Sequence, residues 1–262
     1  METVSKLQAR KPAEKITMLT VYSASTAMIL NQTNIDTLLV GDSLGVVFQG
    51  KPDTLSVALE EMIYHGQAVR RGAPDKFMIV DLPFMSYQVN AEESLINAGR
   101  IMKQTGANAV KLEGASEVVL ASIQKITAAG IPVVGHLGFT PQGVHSLSGY
   151  KVQGKDGASA EKIKTEALAV EKAGAFMLVL EMIPAALAGS ITAGLKIPTI
   201  GIGAGPDCDG QVLVIDDMLG LYPRAPKFVK RYANLDQSIS QAVEKYISEV
   251  KEQKFPAAKY SF

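Results

Sequence analysis

"LLVGDSLG", Leu38 to Gly45, begins as buried core and ends on a carboxylate. Three aliphatic residues run into Gly41, Asp42 and Ser43, and the same pattern recurs along the chain. Short apolar runs read "ITMLTV", "TLLVGD", "FMIVDLP", "NAVKLEG", "IPVVGHLG", "AFMLVLE", "IPTIGIGAG" and "GQVLVIDD". Most are rich in β-branched residues and bounded by Gly, Pro or Asp, which is how strands of a buried parallel sheet read. Between them lie helical spacings. Ala91 to Gly106 sets Leu95, Ala98, Ile101 and Met102 on one face, and Ser159 to Gly174 does the same with Ile163, Ala167 and Val170. Both segments stop on Gly, a common helix terminator.

Strand and helix alternate without a break in composition, which argues for one α/β domain over residues 1–262 with a short N-terminal extension. Eight strand candidates predict a (β/α)8 TIM barrel, with a doubly wound open sheet as the alternative. His136 to Ser159 is too long for a routine connection and reads as a loop that covers a substrate. Ile239, Val243 and Ile247 recur every four residues in a C-terminal amphipathic helix.

In a barrel every strand ends on the same face, where active sites are built. Asp42, Asp81, Glu113, His136 and Glu181 each stand at or just beyond such an end. A strand-end Asp can also cap the next helix, a reading that Pro83 weakens for Asp81. In "VKLE", Lys111 and Glu113 are two apart and project to the same side of their strand, away from Val110 and Leu112. Such a buried pair is costly unless it is bonded together or used. Clustered acids repel, and a divalent cation relieves that repulsion. With oxygen donors and no Cys or His pair at metal spacing, the cation is Mg2+ or a similar hard ion, and zinc is disfavoured. Asp42, Asp81 and Glu113 are its candidates, touching it or holding its waters.

Glu181 follows "FMLVL" with no basic neighbour close in sequence. Desolvation would raise its pKa and suit it to act as a general base; the alternative is a cap for the helix at "PAAL". His136 is a substrate contact or a hydrogen-bonded structural residue. His65 and His145 receive no role. "GIGAG" offers either an anion cradle or simply a tight turn.

Composition narrows the partners. Lys+Arg 26 balances Asp+Glu 26 in 262 residues, which speaks against nucleic acid or a membrane surface. Cys208 is the single cysteine, so no intrachain disulfide can form. The polar opening "METVSKLQARKPAEK" lacks the apolar stretch of a secretory signal, and a cytoplasmic location is expected.

The motifs "VGDSLG", "HGQAVRRGAP", "DLPFMSY", "AVKLEG", "GHLGFTPQ", "GYKVQGK", "LVLE", "IGIGAG", "DGQVLV" and "PKFVK" together resemble the 3-methyl-2-oxobutanoate (ketopantoate) hydroxymethyltransferase family over nearly the whole chain. The resemblance implies a barrel of the phosphoenolpyruvate/pyruvate superfamily type, Mg2+, and 5,10-methylenetetrahydrofolate as co-substrate. It implies hydroxymethyl transfer to 3-methyl-2-oxobutanoate through a Mg-stabilised enolate, giving 2-dehydropantoate and tetrahydrofolate in pantothenate biosynthesis, the route to coenzyme A. Asp42, Asp81 and Glu113 match the magnesium positions. Asp42, Ser43, Asp81 and Lys111 match the oxo-acid positions, His136 lies near that substrate, and Glu181 matches the proton acceptor. A homo-oligomer, commonly a decamer, is also implied. The sequence departs from the family pattern at Ser23, where an acid is usual, and at Ser56, where Pro is usual.

Overall fold

A computed structural model describes residues 2–223 and 225–262. Eight strands form within it: β1 (Ile16–Thr20), β2 (Thr37–Val40), β3 (Phe77–Asp81), β4 (Ala109–Glu113), β5 (Val133–Gly138), β6 (Met177–Glu181), β7 (Thr199–Ile202) and β8 (Gly210–Leu213). They pair in parallel in chain order, and β8 returns to β1 to close the barrel. All eight apolar runs are therefore strands, and the open-sheet alternative falls.

The helices are α1 (Val4–Ala9), α2 (Ala24–Asn31), α3 (Leu44–Val47), α4 (Leu59–Gly72), α5 (Ala91–Thr105), α6 (Glu117–Ala128), α7 (Gly157–Lys172), α8 (Ala185–Gly194), α9 (Ile215–Leu219) and α10 (Leu235–Lys251). The chain divides into two compact units, one up to Val214 that holds the whole barrel and one from Ile215 onward. In the second unit, Ile239 and Val243 of α10 are half exposed. None of the described helices is long and apolar enough to cross a membrane.

Local chemistry sets the helix ends. Asn90 caps α5 by accepting from the Glu93 amide, and Gly106 ends it at φ 68, a left-handed conformation that glycine adopts without penalty. The core face of α5 is Ser94, Ala98, Ile101 and Thr105, whereas Leu95 and Met102 are only half buried. The stripe is rotated from the apolar one because Ser94 and Thr105 satisfy their hydroxyls internally, on the Asn90 and Ile101 carbonyls. Ile163, Ala167 and Val170 of α7 are buried as expected.

Two helices, α3 and α4, lie between β2 and β3, and one connection has none. β7 passes to β8 through residues 203–209 with no helix between them. "GIGAG" supplies the turn, with Gly203 and Gly205 at φ 62 and φ 82.

Candidate active site at the C-terminal mouth of the barrel

Strand register builds the site. Asp81 of β3 lies opposite Lys111 of β4, Glu113 opposite His136 of β5, and Gly138 opposite Glu181 of β6. A row of charged side chains thus crosses four strands at their C-terminal ends. Gly138 permits the last step: at φ 94, a Cβ there would stand 2.2 Å from the Glu181 carbonyl oxygen. Asp42 arrives from the end of β2, and its backbone amide donates to Asp81 Oδ2 at 3.1 Å.

Asp42, Asp81, Lys111, Glu113 and His136 are each at most 5% exposed. Lys111 Nζ stands 3.1 Å from Asp81 Oδ2 and 3.7 Å from Glu113 Oε1, so the two-residue spacing in "VKLE" does place lysine and glutamate together. Glu113 Oε1 is 3.2 Å from His136 Nδ1, and His136 Nε2 is 3.2 Å from Glu181 Oε2. Glu181, without a basic neighbour in sequence, has one in space. Both contacts are at ion-pair distance but outside hydrogen-bonding geometry, since Glu113 Oε1 and His136 Nε2 lack a hydrogen-bond partner.

Neither capping alternative holds. α3 begins at Ser43 without a side-chain cap, and the Asp42 carboxylate instead accepts from Gln142 Nε2 at 2.8 Å. α8 begins at Pro184, again without a side-chain cap, which leaves Glu181 facing His136. Ser43 Oγ is 2.8 Å from the Tyr22 hydroxyl, which fixes it beside Asp42.

The electrostatics follow from burial and crowding. Burial pushes Asp42 well above the usual carboxylate range, and Glu113 and Asp81 push further, against Lys111 and the Gln142 hydrogen bond. Asp81 also rises through burial, although Lys111 and the Asp42 amide oppose it. Burial works against the charge on Glu113, but His136 and Lys111 outweigh it and hold its pKa below the ordinary value. Lys111 likewise resists burial because Asp81, Glu113 and Asp42 surround it, and its pKa rises. Burial and Lys111 both disfavour a charged His136, yet Glu113 and Glu181 prevail and push its pKa up to about 9. Lys111 Nζ also approaches His136 Nδ1 at 3.3 Å, and Glu113 stands within ion-pair distance of both.

Four carboxylates, those of Asp42, Asp81, Glu113 and Glu181, therefore gather around Lys111 and His136. Among the described residues no three His, Cys, Asp or Glu side chains already converge as a metal cage. Asp81 Oδ1 and Glu113 Oε1 are nevertheless buried oxygens without a hydrogen-bond partner. Unsatisfied hard donors in a cluster richer in carboxylates than in basic groups suit a small divalent cation such as Mg2+.

Two participants lie at the ends of quoted motifs, "GHLGFTPQ" and "DLPFMSY", without a role that spacing alone assigns. Gln142, in the turn Pro141–Gly143 of the β5–α7 connection, is buried against Asp42 and Glu113. Tyr87, in "DLPFMSY", is fully buried with its hydroxyl on Gln142 Oε1 at 2.7 Å. A cavity of about 440 Å3 opens beside them, lined by Phe84, Gln88, Glu113, Gln142 and His145. His65 hydrogen-bonds the Tyr22 carbonyl at 2.7 Å and packs edge-on against Phe48 and Tyr64, a structural role.

Fold and site together define a parallel barrel with an acid-rich C-terminal mouth. The same fold occurs in a phosphonopyruvate hydrolase solved with oxalate and Mg++ (TM-score 0.64, 13% identity, covering 99% of this chain and 93% of that one). It also occurs in 2,3-dimethylmalate lyase, a PEP mutase/isocitrate lyase superfamily member (TM-score 0.61, 16% identity, 98% and 90% covered).

Sequence comparison is narrower. The family model described as ketopantoate hydroxymethyltransferase matches residues 1–258. The 3-methyl-2-oxobutanoate hydroxymethyltransferase of Syntrophus aciditrophicus is 54% identical over 254 residues, covering 97% of this chain and 93% of the relative. That of Carboxydothermus hydrogenoformans is 52% identical over 262 residues, covering 99% and 95%. The chain belongs to the ketopantoate hydroxymethyltransferase family, and its enzyme class is hydroxymethyltransferase.

Proposed function

We propose that this chain transfers a hydroxymethyl group from 5,10-methylenetetrahydrofolate to C3 of 3-methyl-2-oxobutanoate, giving 2-dehydropantoate and tetrahydrofolate. The observation that carries the reading is the continuous row Asp81–Lys111–Glu113–His136–Glu181 across the barrel mouth, in a chain matched to the family over nearly its full length.

Each residue has a task that its surroundings support. Asp42 and Asp81, with Glu113, would hold Mg2+, which when bound draws charge from the carboxylate and keto oxygens of the oxo acid and stabilises its enolate. Lys111 keeps its proton and sets a positive charge beside the developing oxyanion. Ser43, fixed by Tyr22, orients the substrate. Glu181 accepts the C3 proton, and the His136 ring, 3.2 Å away, holds that carboxylate in place. The C3 carbanion equivalent then bonds to the methylene carbon as one of that carbon's two bonds to folate nitrogen breaks, water displaces the second nitrogen and supplies the hydroxyl oxygen, and the protons from C3 and from water pass to the two folate nitrogens. The protein works in the cytoplasm as a homo-oligomer, with small molecules as its only other partners.

One assay tests this. Product should form only with oxo acid, methylenetetrahydrofolate and Mg2+ together. Cleavage of an oxo acid without folate would point to a carbon–carbon lyase instead.

A further inference from the structure

Gln142 enters the site from the β5–α7 connection as the last residue of "GHLGFTPQ", and none of the metal, oxo-acid or proton-acceptor positions includes it. We propose that Gln142 is a positioning residue: a single buried amide that fixes Asp42 and Glu113 relative to each other across the barrel mouth so that they can receive the oxo acid. This rests on the functional reading above.

The hydrogen bonds assign the role. Gln142 Nε2 donates to Asp42 Oδ2 at 2.8 Å and to the Leu82 carbonyl at 3.0 Å. Its Oε1 accepts from the Tyr87 hydroxyl at 2.7 Å and from Gln88 Nε2 at 3.0 Å. Its backbone amide donates to Glu113 Oε2 at 3.0 Å. Both donors and both lone pairs of the side chain are thus engaged, which for an amide is complete satisfaction.

The polarity is fixed as well. The Leu82 carbonyl can only accept, so the amide nitrogen faces Leu82 and Asp42, and Oε1 is left to accept from the Tyr87 hydroxyl, whose oxygen in turn accepts from the Glu113 amide at 3.0 Å. The contacts close a ring from the Glu113 backbone through Tyr87 and Gln142 to the Glu113 side chain. Gln142 occupies Glu113 Oε2 and leaves Oε1 without a hydrogen-bond partner. Glutamate here would set a further carboxylate against Asp42, and asparagine would fall one methylene short. Methionine fills the volume and removes every side-chain hydrogen bond.

The test compares Gln142→Met and Tyr87→Phe with the unaltered chain. The readouts are kcat, KM for each substrate, Mn2+ affinity by titration calorimetry without substrates, and thermal melting. Gln142→Met should raise KM for 3-methyl-2-oxobutanoate and Kd for Mn2+ by about tenfold or more, with KM for the folate donor unchanged. Tyr87→Phe, which removes one bond onto Gln142, should move the same two constants less. A folded Gln142→Met protein with both constants unchanged, or altered only in melting temperature, overturns the proposal, because a mere loop anchor behaves that way. Should Gln142→Met fail to fold, Tyr87→Phe decides, and constants equal to wild type overturn it. An unaltered chain that does not turn over the oxo acid sinks the functional reading instead; the Mn2+ constants then judge the positioning claim, a tenfold rise supporting it and no change overturning it.

Discussion

The two ends of the barrel both gather charge, and they do so in opposite ways. At the N-terminal end, Asp36 accepts from the Thr17 amide at 2.8 Å, the Thr17 hydroxyl at 2.7 Å and Arg10 at 2.7 Å. Asp209 there accepts from Lys11 at 2.7 Å and from the Thr199 amide at 2.9 Å. Burial opposes the charge on Asp36, but Thr17 and then Arg10 hold its pKa below the ordinary value. At the C-terminal end, Asp42 and Asp81 rise instead, and buried oxygens of Asp81 and Glu113 lack hydrogen bonds. At the first end Asp36 and Asp209 are paired and contribute stability; at the second, carboxylate oxygens stand unpaired, as the proposed function requires.

The comparison can be broken by substitution. The largest effect is expected for Glu181→Gln, which should lower solvent exchange of the substrate C3 hydrogen about 10²–10⁴-fold while oxo-acid binding persists. Proton NMR measures this, and exchange at the wild-type rate would remove Glu181 as the base. Lys111→Met comes next. It leaves Asp81 and Glu113 buried without their ammonium, and should cost about 3–5 kcal/mol in urea unfolding without divalent cation.

Asp36→Asn is the matching test at the other end, expected to cost about 1–3 kcal/mol with kcat unchanged. Its pH dependence has a definite sign. A depressed carboxyl stabilises above its unfolded pKa, and that contribution is lost as pH falls through the folded value. Wild type and Asp36→Asn should therefore converge in stability on acidification, and a gap that widened would contradict the pairing.

The smallest effect has the opposite direction. Asp42, whose folded pKa is raised, weakens the fold once pH exceeds its unfolded value. Asp42→Asn should raise the free energy of unfolding in urea at neutral pH without divalent cation, by about 0.5–2 kcal/mol, while activity is lost. A destabilised Asp42→Asn protein would mean that the mouth is as well satisfied as the base.

How much of this was legible varied by element. The eight strands follow from their apolar runs, because a strand buried on both faces needs continuous hydrophobicity. Lys111 and Glu113 could be paired from spacing alone, since alternation is a property of the extended backbone. The partner of Glu181 could not, because His136 is remote in sequence and meets it only when β5 and β6 align. The core face of α5 keeps Ala98 and Ile101 of the expected stripe but takes Ser94 and Thr105 in place of Leu95 and Met102, because hydroxyls with hydrogen-bond partners bury as readily as apolar groups. The departure at Ser23 proves benign for local structure: its hydroxyl caps α2 by accepting from the Thr26 amide.

By itself, the order of residues determined the strand set, the parallel class and the acids waiting at strand ends, because these depend on covalent periodicity and on which side chains water rejects. Only the closed barrel decided that Gln142 bridges Asp42 and Glu113, that His136 stands between two carboxylates, and that β7 reaches β8 without a helix. Those outcomes require residues as many as 100 positions apart to share one buried volume, where each charge is set by neighbours that no local pattern names.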